Sequence, residues 1–139
     1  SAYRKIVCSW MEQSWLKEVF EEISTWGKTI VITSDHGSLR VKKPVQIKGD
    51  KSTSTGIRYK YGKNLHVESK LAIKINNPSL YKLPVIKGAT DYIFAKDKNF
   101  LLYPNNFNHF ARRYENSFQH GGISMDEMIV PVGILESKV

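Results

Sequence analysis

The chain has 139 residues, of which 41% are hydrophobic. That length allows one domain with its own core and is too short for two. No stretch approaches the roughly 18 consecutive apolar residues of a membrane-spanning helix, so we expect no membrane contact. The formal net charge of +8 favours anionic partners such as phosphates, but charge alone does not separate a nucleic-acid surface from a solvated lysine-rich one.

A single cysteine, Cys8, rules out an internal disulfide. It has no cysteine or histidine at metal-ligand spacing, and we expect a reducing, cytoplasmic setting. The first two residues, Ser-Ala, are interpreted as a cloning remnant, and the absence of an initiating methionine suggests a piece of a longer protein. The expected organisation is a single domain over residues 1–139.

Helical spacing and a β-branched run predict the first two elements. Ser9 and Glu12 fit a capping box, and apolar side chains then recur every three or four residues up to Gly27, which predicts a helix over 9–26. The run at 29–33 is apolar without alternation, as in a strand of a parallel sheet that is covered on both faces. A helix followed by a buried strand indicates an α/β fold.

The rest of the chain predicts short strands, loops and one more long helix. Residues 49–56 are polar and indicate a loop. Period-two or helical spacing predicts strands over 67–75, 91–95, 100–103 and 128–135, and a helix over 106–118. After a break at Gly121-Gly122, Ser124 and Glu127 fit a second capping box.

The strand predicted at 29–33 is followed by Asp35, His36 and Gly37. In open α/β sheets, ligands bind beyond the carboxyl ends of the strands. Neighbouring side chains on a strand point to opposite faces, so Asp35 and His36 can share one ion only if the backbone turns, which Gly37 permits. A carboxylate oxygen and an imidazole nitrogen are both ordinary zinc ligands. The tripeptide alone leaves open whether it binds metal or forms a polar turn.

His120 is the second candidate ligand. It precedes Gly121 and Gly122, which suit a ligand loop but also suit any helix exit. His66 begins a predicted strand, and His109 has no acidic or cysteine partner one helical turn away. We expect neither of these two histidines to bind metal.

The segment 49–64 combines basic and hydroxyl side chains. Arg58, Lys60 and Lys63 could bind a phosphate there, because guanidinium and ammonium groups form charge-assisted hydrogen bonds to its oxygens. The order of residues in a Walker loop is absent. A solvated surface loop is the alternative.

Three segments together resemble a known family. VITSDHGSLRVK, GDKSTSTGIRYKYGKNL and YPNNFNHFARRYENSFQHGGISMDEMIVPV are similar to the C-terminal part of a PglZ domain, a branch of the alkaline phosphatase superfamily. The nearest resemblance is to the PorX-type two-component response regulators of Bacteroidetes, which join a receiver domain to a PglZ domain. The similarity covers nearly all of residues 28–135 in the same order.

The resemblance implies an α/β fold, namely the C-terminal portion of an alkaline-phosphatase-like sheet with flanking helices. It also implies a zinc-dependent phosphodiesterase with two metal ions. On this pattern Asp35 and His36 hold one zinc and His120 holds the other. Arg58 or Lys60 is implied as a substrate-binding residue.

This chain contains only part of the two-zinc site that the resemblance implies. Two zinc ions call for roughly six protein ligands, whereas the chain offers three. No Thr or Ser stands in a recognisable strand-to-helix nucleophile turn. We therefore expect the nucleophile, the remaining ligands and a receiver domain upstream of residue 1. The isolated chain is expected to lack phosphodiesterase activity and to bind zinc weakly if at all.

The resemblance further implies a phosphodiester or oligonucleotide substrate and regulation of type IX secretion. A second interpretation is a non-catalytic module that keeps the phosphatase scaffold and uses its basic surface to bind an acidic partner or nucleic acid. A third is a half-domain that pairs with a second copy as a homodimer, because uncovered strand edges and apolar faces attract partners. The identity of the metal stays open, since Asp and His ligands also suit manganese and iron.

Overall fold

The polypeptide folds as two units, which the computed structural model describes over residues 2–50 and 54–137. The first unit combines residues 2–34 with 131–137, and the second is formed by residues 35–130. Within the described residues, no helix is long and apolar enough to cross a membrane. The three candidate metal ligands all belong to the second unit.

The described residues contain short helices and short strands. In chain order these are α1 (Ala2–Gln13), α2 (Trp15–Ile23), β1 (Ile30–Thr33), β2 (Leu39–Arg40), β3 (Lys43–Gln46), β4 (Tyr59–Gly62), β5 (Ala72–Ile75), β6 (Asp91–Ala95), β7 (Asn99–Leu102), α3 (Phe107–Tyr114), β8 (Phe118–Gln119), α4 (Met125–Met128) and β9 (Val132–Leu135). A 3₁₀ helix spans Pro78–Tyr81. This mixture of helices and small sheets confirms the predicted α/β class.

In the first unit, β1 and β9 form an antiparallel pair, with Ile30 opposite Leu135 and Thr33 opposite Val132. The strand lies where it was predicted, but the expectation of a parallel sheet that covers both its faces is wrong. Its partner is antiparallel, and Val31 is 62% exposed. A continuous apolar run does not specify the direction of its partner, which here comes from the other end of the chain.

The helix predicted over 9–26 is two helices. The hydroxyl of Ser14 donates a hydrogen bond to the carbonyl oxygen of Met11 at 3.1 Å, and α2 begins at the next residue. Because α1 begins at Ala2, the capping box predicted at Ser9 lies inside a helix, and that prediction is wrong. Apolar spacing continues across the break, which is why it predicted one element.

Within the described residues, the second unit contains three small sheets. β4, β6 and β5 form an antiparallel sheet with β6 in the centre, β3 and β7 pair in parallel, and β2 and β8 pair antiparallel. Removal of apolar side chains from water holds these sheets together. One buried cluster consists of Val45, Ile47, Leu65, Ala72, Ile93, Ala95 and Leu101. A second consists of Val41, Ile57, Phe100 and Leu102, against which α3 packs.

The strand predictions in this unit hold with shifted boundaries. The strand at 91–95 is confirmed, and the one predicted at 100–103 begins one residue earlier. The strand predicted at 67–75 is present only over its last four residues. The described parts of the predicted loop 49–56 lack regular structure, and residues 51–53 lie outside the described residues.

The helix predicted over 106–118 ends at Tyr114. Glu115 leaves the helical conformation with ψ of 131°, and Asn116 then adopts a left-handed one with φ of 64°, so the helical path ends there. Phe118 continues the apolar spacing of the helix but lies in β8. The early end of this helix leaves Phe118 and Gln119 to pair with β2.

Replacement of Phe100 by alanine tests the second apolar cluster. Phe100 is fully buried and its ring contacts Tyr114 edge to face. We expect Phe100→Ala to lower the free energy of unfolding by about 3–5 kcal/mol, because it leaves a cavity among close-packed side chains. Urea titration followed by circular dichroism measures the change. Phe118→Ala, at a ring that is 51% exposed, is the matched control and should cost clearly less. Equal losses in the two variants would contradict the assignment of this core.

Candidate metal centre

Pairing of β2 with β8 brings the two candidate histidine loops together. Leu39 lies opposite Gln119, and Arg40 lies opposite Phe118. In an antiparallel pair, the residues before one strand lie beside the residues after the other. His36 precedes β2 by three residues, and His120 follows β8 directly. Two positions that are 84 apart in sequence therefore become neighbours.

The imidazole rings of His36 and His120 are stacked. Their centroids are 3.8 Å apart and their planes differ by 8°. The residues themselves marked the two histidines separately, and only the family resemblance implied one shared site; the structure brings the two rings into contact.

Asp35 and the backbone of Gly37 lie next to the ring of His36. The Nδ1 of His36 donates a hydrogen bond to the carbonyl oxygen of Gly37 at 2.8 Å. A proton on Nδ1 leaves the lone pair of the neutral ring on Nε2. That Nε2 lies 3.7 Å from Oδ1 of Asp35. An acceptor nitrogen and a carboxylate oxygen thus face each other at a separation suited to two ligands of one ion.

The donor set of two imidazoles and one carboxylate consists of ordinary zinc ligands. Imidazole nitrogens bind metal through lone pairs that lie in the ring plane, and the nearly parallel rings of His36 and His120 present two separate donor planes. Among the described residues, no three His, Cys, Asp or Glu side chains form a group that could hold one ion.

Glycine is required on both histidine loops. The N–H of Gly37 donates to the carbonyl oxygen of Glu127 at 2.8 Å, and a Cβ on Gly37 would overlap the carbonyl of Asp126. A Cβ on Gly122 would lie 2.5 Å from Oε2 of Glu127. Gly121 has a φ of +92°, which side chains disfavour. Both loops therefore approach α4 as closely as only glycine allows.

The carboxylate of Glu127 is buried and fully hydrogen-bonded. Arg58 donates to it twice, from Nε to Oε1 and from Nη2 to Oε2, both at 2.8 Å. The N–H of Gly122 donates to Oε1 at 3.0 Å, and the hydroxyl of Ser124 donates to Oε2 at 2.6 Å. The remaining Arg58 nitrogen, Nη1, donates to the carbonyl of Asn99. The predicted capping box of Ser124 and Glu127 is present, so that prediction is confirmed.

Burial and hydrogen bonding act in opposite directions on the pKa of Glu127. Burial alone raises it, whereas hydrogen bonds from Arg58, Ser124 and Gly122 and the charge of Arg58 lower it, to about 2. The carboxylate is therefore ionised at neutral pH although it is only 3% exposed.

One protein family matches most of the chain. Residues 5–134 match the family described as the BREX system PglZ alkaline phosphatase-like domain. The chain belongs to the PglZ family. This match bears out the resemblance to PglZ domains and gives no support to the narrower one to PorX-type response regulators. Among curated proteins, no match to the chain is found.

Arg58 was predicted from this PglZ resemblance as a substrate contact. Its side chain is fully buried, and its donors are directed to Glu127 and Asn99. In this structure Arg58 therefore supports the fold beneath the histidine loops, and its role as a substrate contact stays a prediction. The capping box is a sequence signal for Glu127, but no local pattern indicates a partner 69 residues away.

Lys60, the other predicted substrate contact of the PglZ domain, is also in the interior. Its Nζ donates to the carbonyl oxygens of Ser54 and Thr55 and lies 4.7 Å from the ring centroid of Tyr103. Burial lowers the pKa of Lys60 to about 8. It lines a cavity of about 820 Å³, and none of the three candidate metal ligands is among the described residues around that cavity.

The two remaining histidines of the PglZ domain lie elsewhere. His66 pairs through its backbone with Lys48, and the ring of His109 contacts Phe110 edge to face. Each is exposed to solvent. Of the four histidines, the structure therefore brings together the two that were singled out.

The ion pair beneath the site predicts how stability depends on pH. The pKa of Glu127 is about 2 in the folded protein and 4.5 ordinarily, so the unfolded chain binds more protons between these values. Its stabilising contribution is complete above pH 4.5 and is lost as pH falls towards 2. At pH 7, Glu127→Gln should cost about 3–5 kcal/mol, because Arg58 then lacks its buried partner.

Thermal or urea unfolding across pH 2–7 measures this pH dependence of the free energy of unfolding. The difference between the wild type and Glu127→Gln should shrink from pH 4.5 downwards. Asp126→Asn, at the exposed neighbouring position, is the control and should stay within about 0.5 kcal/mol of the wild type at pH 7. A difference that stays constant down to pH 2 would contradict the assignment.

Proposed function

We propose that this PglZ domain contributes Asp35, His36 and His120 to a two-metal phosphoesterase site. The observation that carries the proposal is the stacked pair of rings, 3.8 Å apart and nearly parallel. In this proposal Asp35 and His36 hold one zinc, and His120 holds the other. Membership of an alkaline-phosphatase-like family supports the same chemistry.

In this proposal the residues of this chain hold and orient the metal ions. When bound, two zinc ions stabilise both the attacking and the leaving oxygen of an in-line displacement at phosphorus. The hydrogen bond from Nδ1 of His36 to Gly37 fixes the tautomer that offers Nε2 as a ligand. Asp35 brings a negative charge beside that nitrogen and balances part of the charge of the cation.

Two catalytic zinc ions need about six protein donors, and this chain offers three. The proposal assigns the other donors and the nucleophile to residues outside those described. We expect the 139-residue chain by itself to be inactive on phosphodiesters. The net charge of +8 favours an anionic substrate, and we propose a phosphodiester or a short oligonucleotide.

The family match bears on the chemistry of the site and not on its regulation. The matching family description names the BREX system, and it provides no support for a receiver domain or for type IX secretion. The proposal therefore concerns the chemistry of the site alone.

Alanine variants of the three ligands test the proposal in the natural protein that contains this domain. Hydrolysis of bis(p-nitrophenyl) phosphate should require zinc or manganese, stop with a chelator and return when metal is restored. His36→Ala, His120→Ala and Asp35→Ala should each reduce it at least about 10²-fold, because each loses a metal ligand.

His109→Ala is the matched control, since it removes an exposed imidazole that lies on α3. It should leave hydrolysis unchanged. Full activity in His36→Ala and His120→Ala, or activity that is indifferent to chelation, would overturn the proposal.

The excess of basic residues favours one competing function, a non-catalytic module that binds an acidic partner or nucleic acid. Binding by release of counterions weakens steeply as salt rises and does not depend on metal. Salt-sensitive binding of an oligonucleotide that survives chelation, without any hydrolysis, would favour this second function.

A further inference from the structure

We propose that Glu127 is the positioning residue of the stacked pair His36 and His120. The inference rests on the proposed function for its purpose, the holding of two metal ions, but its geometry can be tested separately. Glu127 touches neither ring in this proposal. It acts through the backbone of the two loops that carry them.

Glu127 joins both loops at once. Its carbonyl oxygen accepts the N–H of Gly37, the residue after His36. Its carboxylate accepts the N–H of Gly122, two residues after His120, and both the N–H and the hydroxyl of Ser124. One residue therefore fixes the backbone beside each histidine, which sets the two rings relative to each other.

Arg58 in turn fixes the carboxylate of Glu127. A guanidinium that binds a carboxylate through two parallel hydrogen bonds determines orientation as well as distance. Arg58 is fully buried next to β4 and also donates to Asn99 at the start of β7. The histidine loops are thus connected to β4 and to the start of β7 through a buried, hydrogen-bonded pair of side chains.

The strands alone constrain the rings weakly. β2 and β8 are two residues long, and His36 lies three residues outside their ladder. The loops contain Gly37, Gly121 and Gly122, and glycine has the widest backbone freedom of any residue. Rings that are parallel to within 8° need a further constraint, which Glu127 provides.

Nuclear magnetic resonance of the ¹³C,¹⁵N-labelled 139-residue chain tests the proposal without any metal. The wild type should show nuclear Overhauser cross-peaks between the ring protons of His36 and His120, and a protonated Nδ1 on His36. Glu127→Gln should lose the inter-ring cross-peaks, because its amide cannot accept all the donors that now converge on the carboxylate.

Asp91→Asn is the matched control. Asp91 is another buried carboxylate of the same unit, and it accepts from a lysine, Lys74, at 3.0 Å and from the N–H of Leu65 at 3.1 Å. Its partners lie on neither histidine loop. Asp91→Asn should therefore keep the inter-ring cross-peaks despite a comparable loss of a buried charge.

A double variant covers the case in which Glu127→Gln does not fold. Replacement of a buried ion pair by apolar side chains of similar volume is often neutral or stabilising, so Arg58→Met with Glu127→Met should retain the fold. It still removes the acceptor for Gly122 and Ser124, and it should lose the cross-peaks. Circular dichroism reports the fold of each variant.

The proposal is overturned if a folded Glu127→Gln or double variant keeps the wild-type cross-peaks, because β2 and β8 would then position the rings alone. It is also overturned if Asp91→Asn loses the inter-ring cross-peaks, because the loss would then follow from removal of any buried carboxylate in the unit. A different result, full hydrolysis by the His36→Ala and His120→Ala variants, would overturn the proposed function. Cross-peaks that depend on Glu127 would be unaffected by that failure.

Discussion

The buried ion pair between Arg58 and Glu127 is the interaction on which the second unit depends. Removing two charged groups from water costs several kcal/mol for each, and only excellent geometry with additional hydrogen bonds offsets it. Here the fork of Arg58, two backbone N–H groups and one hydroxyl converge on a single carboxylate. Among the described residues, no buried side-chain nitrogen or oxygen lacks a partner. The pair contributes orientation where two glycine-rich loops meet, which an apolar contact would not.

The candidate ligands were more predictable than their arrangement. Asp35 and His36 follow a β-branched strand in a short polar turn, and His120 stands before two glycines, so local sequence marks all three. Their proximity depends on the register of β2 with β8, and two-residue strands leave no alternation to detect. The buried role of Arg58 was missed, because an ion pair across 69 positions leaves no periodic signal and a basic residue beside hydroxyls resembles a phosphate site.

The fold was predictable in class and less so in pairing. Strong β propensity located β1, β6 and β7, but not whether their neighbours run parallel or antiparallel. Backbone conformations at single residues also changed boundaries: Glu115, with an extended ψ, and Asn116, with positive φ, end α3 before the apolar spacing does. Such conformations are decided by tertiary contacts, which short-range sequence patterns do not contain. Family membership adds the alkaline-phosphatase-like class, whereas chemistry still has to be argued from the site.

An anomalous diffraction map would test the two-metal site in the natural protein that contains this domain, crystallised with zinc and recorded on both sides of the zinc absorption edge. We predict two separate peaks about 3.5–4 Å apart, one beside Asp35 and His36 and the other beside His120. A single ion shared by the two histidines, or zinc bound only elsewhere in the molecule, would contradict it.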